Sequence, residues 1–359
     1  MINVTEAPHK ADPSGLKDAT AVIQAAIIAA QTRPGSARVY IPAGTYLITA
    51  PLIITAPIVM FGDGIGSTTL IPASGINCIT INCADSISIS DLSIAYPSPA
   101  ATNTAAIIVT SPNVGAGFYG NSSSIFRDLR IINAYISIHF VCAQAFVVDN
   151  IKSELHSSAG IYIENQRWPD AGDSKIVNCY IEGAGLSTTT AGIVWTGDGA
   201  VDISHNTIVT HQYGILVELQ AGASTRQMFI TSNTIDGASV AGIAFWPLGS
   251  GLFGGVIITS NILNLCHYGL SIGAAPIGQW IKSLIFNDNN WYDDGKAGAV
   301  MASIASVATF TGVGTIAEST GPSTACWLIA NGVTGVISSG SSVGAFTVPN
   351  KIPAGVRVI

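Results

Sequence analysis

Six asparagines, Asn150, Asn178, Asn206, Asn233, Asn261 and Asn289, follow one another at steps of 28, 28, 27, 28 and 28 residues. A fixed period of roughly 20 to 50 residues marks stacked repeats, and it constrains the chain more than any other feature does. Each Asn follows a short apolar run, such as Phe146-Val147-Val148, Phe229-Ile230 or Val256-Ile257-Ile258. Eight to fourteen residues later a glycine opens a second run: Gly160-Ile161, Gly192-Ile193, Gly214-Ile215, Gly242-Ile243 and Gly269-Leu270. These runs are short, rich in β-branched and aromatic residues, and bounded by Gly, Asn, Ser or Asp. They read as strands and turns, not helices. Two or three strands per repeat, with no helix to cross over, predict an all-β chain, a single-stranded parallel β-helix. The Leu-x-x-Leu-x-Leu frame of leucine-rich repeats is absent. A stacked turn favours a residue that tolerates the left-handed region and hydrogen-bonds its neighbour, and an internal Asn ladder is expected to do both.

Only 10% of the 359 residues are charged, against 48% hydrophobic. A long apolar column flanked by Ser, Thr, Asn and Gly accounts for that imbalance, because a globular chain carries about 25% charge. The net charge of −7 lacks the basic footprint of a nucleic-acid binder. No run of 18 apolar residues suggests a membrane span. The N-terminus, Met1-Ile2-Asn3-Val4-Thr5-Glu6-Ala7, does not read as a signal peptide. Cys78, Cys83, Cys142, Cys179, Cys266 and Cys326 sit mostly in apolar runs without a CxxC pair, which predicts buried free thiols. No metal-ligand spacing is visible and no cofactor is expected.

Three segments are expected. Residues 1–37 hold an N-terminal segment in which 19–31 form a helix, capped by Asp18 or Thr20, that covers the open end of the column. Residues 38–295 form the parallel β-helix. Residues 296–359 form a small, weakly charged, β-rich tail whose burial between symmetry-related subunits would protect it from aggregation.

Three N-terminal motifs then become specific. Ala11-Asp12-Pro13-Ser14-Gly15 leads into the helix, Ile41-Pro42-Ala43-Gly44-Thr45-Tyr46 follows, and Phe61-Gly62-Asp63-Gly64-Ile65-Gly66-Ser67-Thr68-Thr69-Leu70 comes third. In this order, followed by the ladder, they resemble the opening of the pectate-lyase-like superfamily shared by bacteriophage tailspikes and some pectinolytic enzymes. The resemblance covers roughly residues 11–295 and implies a right-handed parallel β-helix. The polygalacturonase set of Asn-Thr-Asp, Asp-Asp, Gly-His-Gly and Arg-Ile-Lys is absent; Asn233-Thr234-Ile235-Asp236 only approaches its first member. The Trp-Ile-Asp-His of pectate lyases is missing too. The chain therefore resembles a tailspike body without a head-binding domain. That resemblance implies a homotrimer carried on a phage virion tail, assembled in the host cytoplasm and acting outside the cell. The partners it implies are a bacterial surface polysaccharide (capsule, O-antigen or exopolysaccharide) and a phage tail or baseplate protein.

Carboxylates gather where chemistry would sit: nine of the 21 lie between Asp149 and Glu218. In the Gly-Ile strands, the first and third residues after Gly are apolar and should face inward. The fourth, namely Glu164, Thr196, Glu218 and Trp246, should form an outward strip. Coils rise by one strand spacing, so Glu164 and Glu218, two coils apart, are expected ~9–10 Å apart. Inverting glycosidases place their carboxyl groups ~6.5–9.5 Å apart. Trp246 would offer a sugar ring an apolar face. Glu154 and Glu182, each four residues past an Asn and one coil apart at ~5 Å, suit a retaining pair, and stacked like charges there are unfavourable unless one is protonated or used. The segment from Tyr162 to Asp173 is the densest polar-aromatic patch; Tyr162, Arg167, Trp168 and Asp170, with Asp198 and Trp246, are the expected substrate contacts. A lyase would instead draw on Tyr162, His156, Lys152 or Arg167. The leading expectation is a tailspike that binds and hydrolyses a polysaccharide; the alternatives are a non-catalytic binding or structural β-helix, and a polysaccharide lyase.

Overall fold

The chain is a parallel β-solenoid of about ten turns, with one helix among the described residues, Thr20–Gln31, near the N-terminus. The computed structural model describes residues 1–33, 37–83, 85–111, 121–141, 143–164, 173–197, 199–219, 224–247, 252–274, 281–305, 307–312, 316–318, 325–329, 331, 333–337 and 351–358. Two compact units divide the chain, Met1–Ala184 and Gly185–Ile359.

In the first unit the helix buries Ile23, Ala26, Ile27 and Ala30. The N-cap is Ala19, with no side-chain cap hydrogen bond, which corrects the expected cap at Asp18 or Thr20; Asp18 instead accepts hydrogen bonds from the Thr20 backbone N–H, at 2.9 Å, and from the Thr20 hydroxyl. The Gln24 amide pairs with both backbone groups of Ile53, taking the place of a neighbouring strand along Leu52–Ile54. From there each coil has three faces. The first runs through 125–127, 147–149 and 175–177 in register. The second runs through 129–132, 151–154 and 180–183, with Arg130, Lys152 and Tyr180 in one row and Ile132, Glu154 and Glu182 in the next. The third joins Ile136–Phe140 to Ala159–Ile163. Inside, Phe126, Phe140 and Phe146 pack ring on ring.

The second unit repeats the plan. Its third face stacks Ala191–Trp195, 213–219, 241–247, Tyr268–Ile272, Val300–Ile304 and Ala325–Ile329, all parallel. Parallel pairing thus runs on past Lys296, where composition changes and the coil does not: Tyr268 pairs with Val300, and Val300 with Ala325. The positions expected to face inward are buried, although Ala191–Trp195 is buried along its whole length. Ile193, Trp195, Ile215, Val217, Ile243 and Phe245 are fully buried, as are Ile161 and Ile163 in the first unit. Trp195 is a core residue, its indole N–H donating to the Gly197 carbonyl at 2.8 Å. Gly214 opens its strand because backbones crowd there: a Cβ would stand 2.6 Å from the Gly242 carbonyl oxygen.

The asparagines divide into two sets. Asn150 and Asn178 are exposed and left-handed, with φ of +52° and +57°, and donate to Asp128 and Asp149. Asn206, Asn233, Asn261 and Asn289 are at most 1% exposed and form a true ladder. Asn233 Nδ2 donates to Asn261 Oδ1 at 3.0 Å and to the Ile203 carbonyl at 2.9 Å. Its Oδ1 accepts from Asn206 N and Nδ2, both at 3.0 Å. That satisfies the donors and acceptors of the amide. In this set the left-handed residue is the one before: His205, Ser232, Ser260 and Asp288. No asparagine of the six both turns the corner and joins a buried ladder. The expectation of one ladder is corrected to two kinds of corner, one residue out of phase.

Cys78, Cys83, Cys179, Cys266 and Cys326 are buried and free, and Cys142 lies outside the described residues. Burial pushes the Cys179 and Cys266 thiols up to about 12, leaving them protonated and inert. Among the described residues no helix is long and apolar enough to cross a membrane, and no group of three His, Cys, Asp or Glu could hold a metal.

Candidate carbohydrate site

The position-four residues fall as parity predicts except one. Glu164 and Glu218 are partly buried and Trp246 is 39% exposed, whereas Thr196 is buried at 3%. Glu164 belongs to the first unit and Glu218 to the second.

Glu218 has the more distinctive surroundings. It is one coil from Trp246, in direct register. Burial alone raises its pKa above the usual carboxylate value. No hydrogen bond or ion pair reaches it from the described residues. The Tyr213 and Trp246 rings approach edge to face, with centroids 6.5 Å apart. Tyr213 stands three residues before Leu216, and Trp246 two after Ala244, the register partner of Leu216. Leu216 and Ala244, though by alternation they point outward, are 5% and 0% exposed. Burial first, and then the charge of Glu218, raise the Tyr213 hydroxyl pKa. The product is a half-buried carboxyl beside an aromatic corner. Such a carboxyl holds its proton to higher pH and can give it to a leaving oxygen.

Glu164 is built differently. Its Oε2 is hydrogen-bonded to His139 Nε2 at 2.8 Å. The His139 ring stacks on Tyr162, its register partner one coil on, with centroids 4.9 Å apart and planes 1° apart. Burial holds the His139 imidazole below its ordinary pKa, against the raising pull of Glu164. A neutral imidazole fixed by a carboxylate on one nitrogen and by a ring on its face can take up a proton at the other. His139 escaped sequence reading because its strand, Ile136–Phe140, does not open on the Gly-Ile motif. Aligning Ile136, Ile138 and Phe140 with the apolar positions of Ala159–Ile163 would have found it.

Glu154 and Glu182 are register partners, as the spacing predicts. The expectation that one of them must be protonated or used is corrected, because cations relieve the stacking. Arg130 Nε binds Glu154 Oε2, and Lys152 Nζ lies 3.0 Å from Oε1. Burial pulls the Glu154 pKa up, but these two partners outweigh it and leave the pKa lowered. Glu182 accepts a hydrogen bond from the Tyr180 hydroxyl at 3.2 Å, and Lys152 lies over the Tyr180 ring. The ionised Glu154 does not suit proton donation. His156, a candidate lyase base, is fully buried in an internal chain: Ser137 bonds Ser153, and Ser153 bonds His156 Nδ1 at 2.9 Å. It is corrected to a core residue.

Arg167, Trp168, Asp170 and Asp198 lie outside the described residues. One Asp-Asp pair does occur, at Asp293–Asp294, and sequence reading passed over it. Asp293 is buried and caps Gly295 N, and Asp294 faces His267 and Lys296. Both Asp side chains bond backbone N–H groups of the turn they stand in.

Residues 1–172 match the family described as rhamnogalacturonase A/epimerase, pectate lyase-like. No curated protein matches the sequence. Similar solved structures include the A-module of the mannuronan C-5 epimerase AlgE4 from Azotobacter vinelandii, with TM-score 0.64, 13% identity, and 99% of this chain and 97% of that one covered. The tailspike protein of E. coli bacteriophage HK620, solved with a pentasaccharide, gives 0.66 at 11% identity, covering 96% and 66%. The catalytic unit of the GH87 alpha-1,3-glucanase from Streptomyces thermodiastaticus gives 0.61 at 17% identity, covering 99% and 67%. At such identities the likeness is one of fold, and the fold these proteins share with this chain is the parallel β-solenoid.

Proposed function

We propose that this chain recognises and cleaves a bacterial surface polysaccharide, as a tailspike-like glycoside hydrolase in which Glu218 is the proton donor. The observation that carries this reading is the half-buried Glu218 carboxyl, with its pKa raised by burial alone, in register with the exposed indole of Trp246. Glu218 protonates the glycosidic oxygen as the bond to the anomeric carbon breaks. Water adds to that carbon and loses its proton to solvent, and solvent reprotonates the acid. Trp246 and Tyr213 hold the sugar ring. The similar structures, a tailspike, a glucanase and an epimerase by their names, support a carbohydrate partner. The virion-tail location, the homotrimer and the tail or baseplate partner belong to the same proposal and rest on the N-terminal motifs. Reducing-end release from a panel of capsular, O-antigen and exopolysaccharides tests it. Wild type should cleave at least one glycan, and Glu218→Gln should bind that glycan without cleaving it.

The stacked His139–Tyr162 rings and the Glu164 hydrogen bond favour a second reading, a polysaccharide lyase with neutral His139 as the base. Its product carries a double bond conjugated to a carboxylate. Ultraviolet absorbance that is lost in His139→Gln and kept in Glu218→Gln would select this reading.

A further inference from the structure

We propose that the Glu218–Trp246 corner takes a neutral pyranose that turns an apolar C–H face to the indole, and that it rejects uronic acids. This rests on the carbohydrate reading above and narrows it to a substrate class. The row beneath the corner is Val194, Leu216 and Ala244, register partners on three successive coils. By alternation all three point outward, yet they are 7%, 5% and 0% exposed. The rings of Tyr213 and Trp246 approach edge to face, and Trp246 is still 39% exposed. The covered row is apolar, the exposed wall is an indole, and the polar groups named at the corner are the Glu218 carboxyl and the Tyr213 hydroxyl.

A sugar held there must bring its own apolar face, which pyranoses do where their axial C–H bonds point one way. The electrostatics point the same way. The ion pairs of the described residues involve Arg130, His139, Lys152, His267 and Lys296, and none reaches Glu218, Tyr213 or Trp246. A uronate carboxylate would enter a desolvated site that already holds an acidic group, with no described cation to offset it. A hydroxymethyl or methyl group at the same ring position meets no such penalty.

The test uses the full chain as wild type, read in the cold so that turnover does not deplete the glycan, and as Glu218→Gln, which removes the acidic group. Retardation in affinity gels is measured for bacterial polysaccharides containing uronic acid, each in native form and with its carboxyl groups reduced to alcohols, together with neutral polysaccharides. Retention by neutral or reduced polymers is expected, at least about tenfold tighter than by the native uronate forms. It should be about tenfold weaker when Trp246→Ala is added, and little affected by salt. Equal or tighter binding of the native uronate form overturns the inference, as does the absence of any Trp246-dependent retention of neutral polymers. Reducing-end release by wild type separates this from failure of the reading beneath it. Trp246-dependent neutral binding without release ends the hydrolase reading and keeps the subsite. Release from a uronate polymer that is bound as tightly as its reduced form keeps the hydrolase and ends the neutral subsite.

Discussion

In residues 1–184 the corner between the first and second faces is turned by exposed Asn150 and Asn178, which adopt the left-handed conformation themselves. In residues 185–359 it is turned by His205, Ser232, Ser260 and Asp288, each followed by a buried Asn. The same kind of bend is thus held by conformational tolerance in one unit and by a continuous amide ladder in the other. A left-handed Asn at the surface replaces contacts with water and costs little to lose. A buried ladder amide has no water to return to, so its hydrogen bonds are obligatory. The surfaces differ as well. The first unit carries its polar side chains in pairs and stacks, Arg130 and Lys152 with Glu154, and His139 with Glu164. The second pairs Asp294 with His267 and Lys296 but leaves Glu218 unpaired among the described residues, beside aromatics. A structural carboxylate is neutralised, whereas one that must give up a proton is desolvated instead.

The sharpest way to break the comparison is to remove one member of each corner set. Asn233→Ala removes the acceptor of Asn206 N and Nδ2, one of the two donors to Asn261 Oδ1 and the donor to the Ile203 carbonyl, and should cost about 3–4 kcal/mol, read as a lowered urea midpoint. Asn150→Ala should cost only about 1 kcal/mol, because alanine tolerates φ +52° less well than asparagine and lacks the exposed hydrogen bond to Asp128. Equal losses would mean that the two corners are held in the same way.

Arg130→Met should cost about 1 kcal/mol by exposing Glu154 and Glu182 to one another. Adding Glu154→Gln should restore most of it. The pH dependence has a definite sign. The Glu154 pKa is lowered in the fold, so its contribution is present above the unfolded value of 4.5 and is lost as pH falls through the folded one. Chemical denaturation across the acid range should therefore fall less steeply in the double variant than in wild type.

The smallest effect concerns Glu218, whose sign is opposite. Its pKa is raised in the fold, so its contribution is present below the unfolded value of 4.5 and is lost as pH rises through the folded one. Glu218→Gln should flatten that slope and leave the protein slightly more stable at neutral pH. A flat wild-type slope would place Glu218 in water.

These contrasts also show what a linear sequence reveals. Burial parity was legible because period-two alternation is local: Ile161 and Ile163, or Ile215 and Val217, face inward whatever coil they stand on. The 28-residue step was legible as a repeat but concealed a change of role. Asn178 and Asn206 are 28 apart, yet the left-handed residues Asn178 and His205 are 27 apart. Interval counting cannot separate an inserted residue from a shifted asparagine. The pairs Arg130–Glu154 and His139–Glu164 were not legible because each joins neighbouring coils of shorter, unequal length, with partners 24 and 25 residues apart. The corner of Tyr213 and Trp246 was half legible: parity placed Trp246 outside, but the lean of Tyr213 toward it is a matter of side-chain direction that spacing does not carry.

The most direct measurement is reducing-end release from purified bacterial surface polysaccharides by wild type, Glu218→Gln and Glu164→Gln, each checked for glycan binding. The account predicts that wild type cleaves one glycan, with activity falling as pH rises through the Glu218 pKa, and that Glu218→Gln still binds the glycan but releases no ends. Full activity in Glu218→Gln would contradict it and would make the half-buried carboxyl beside Trp246 a feature of the surface alone.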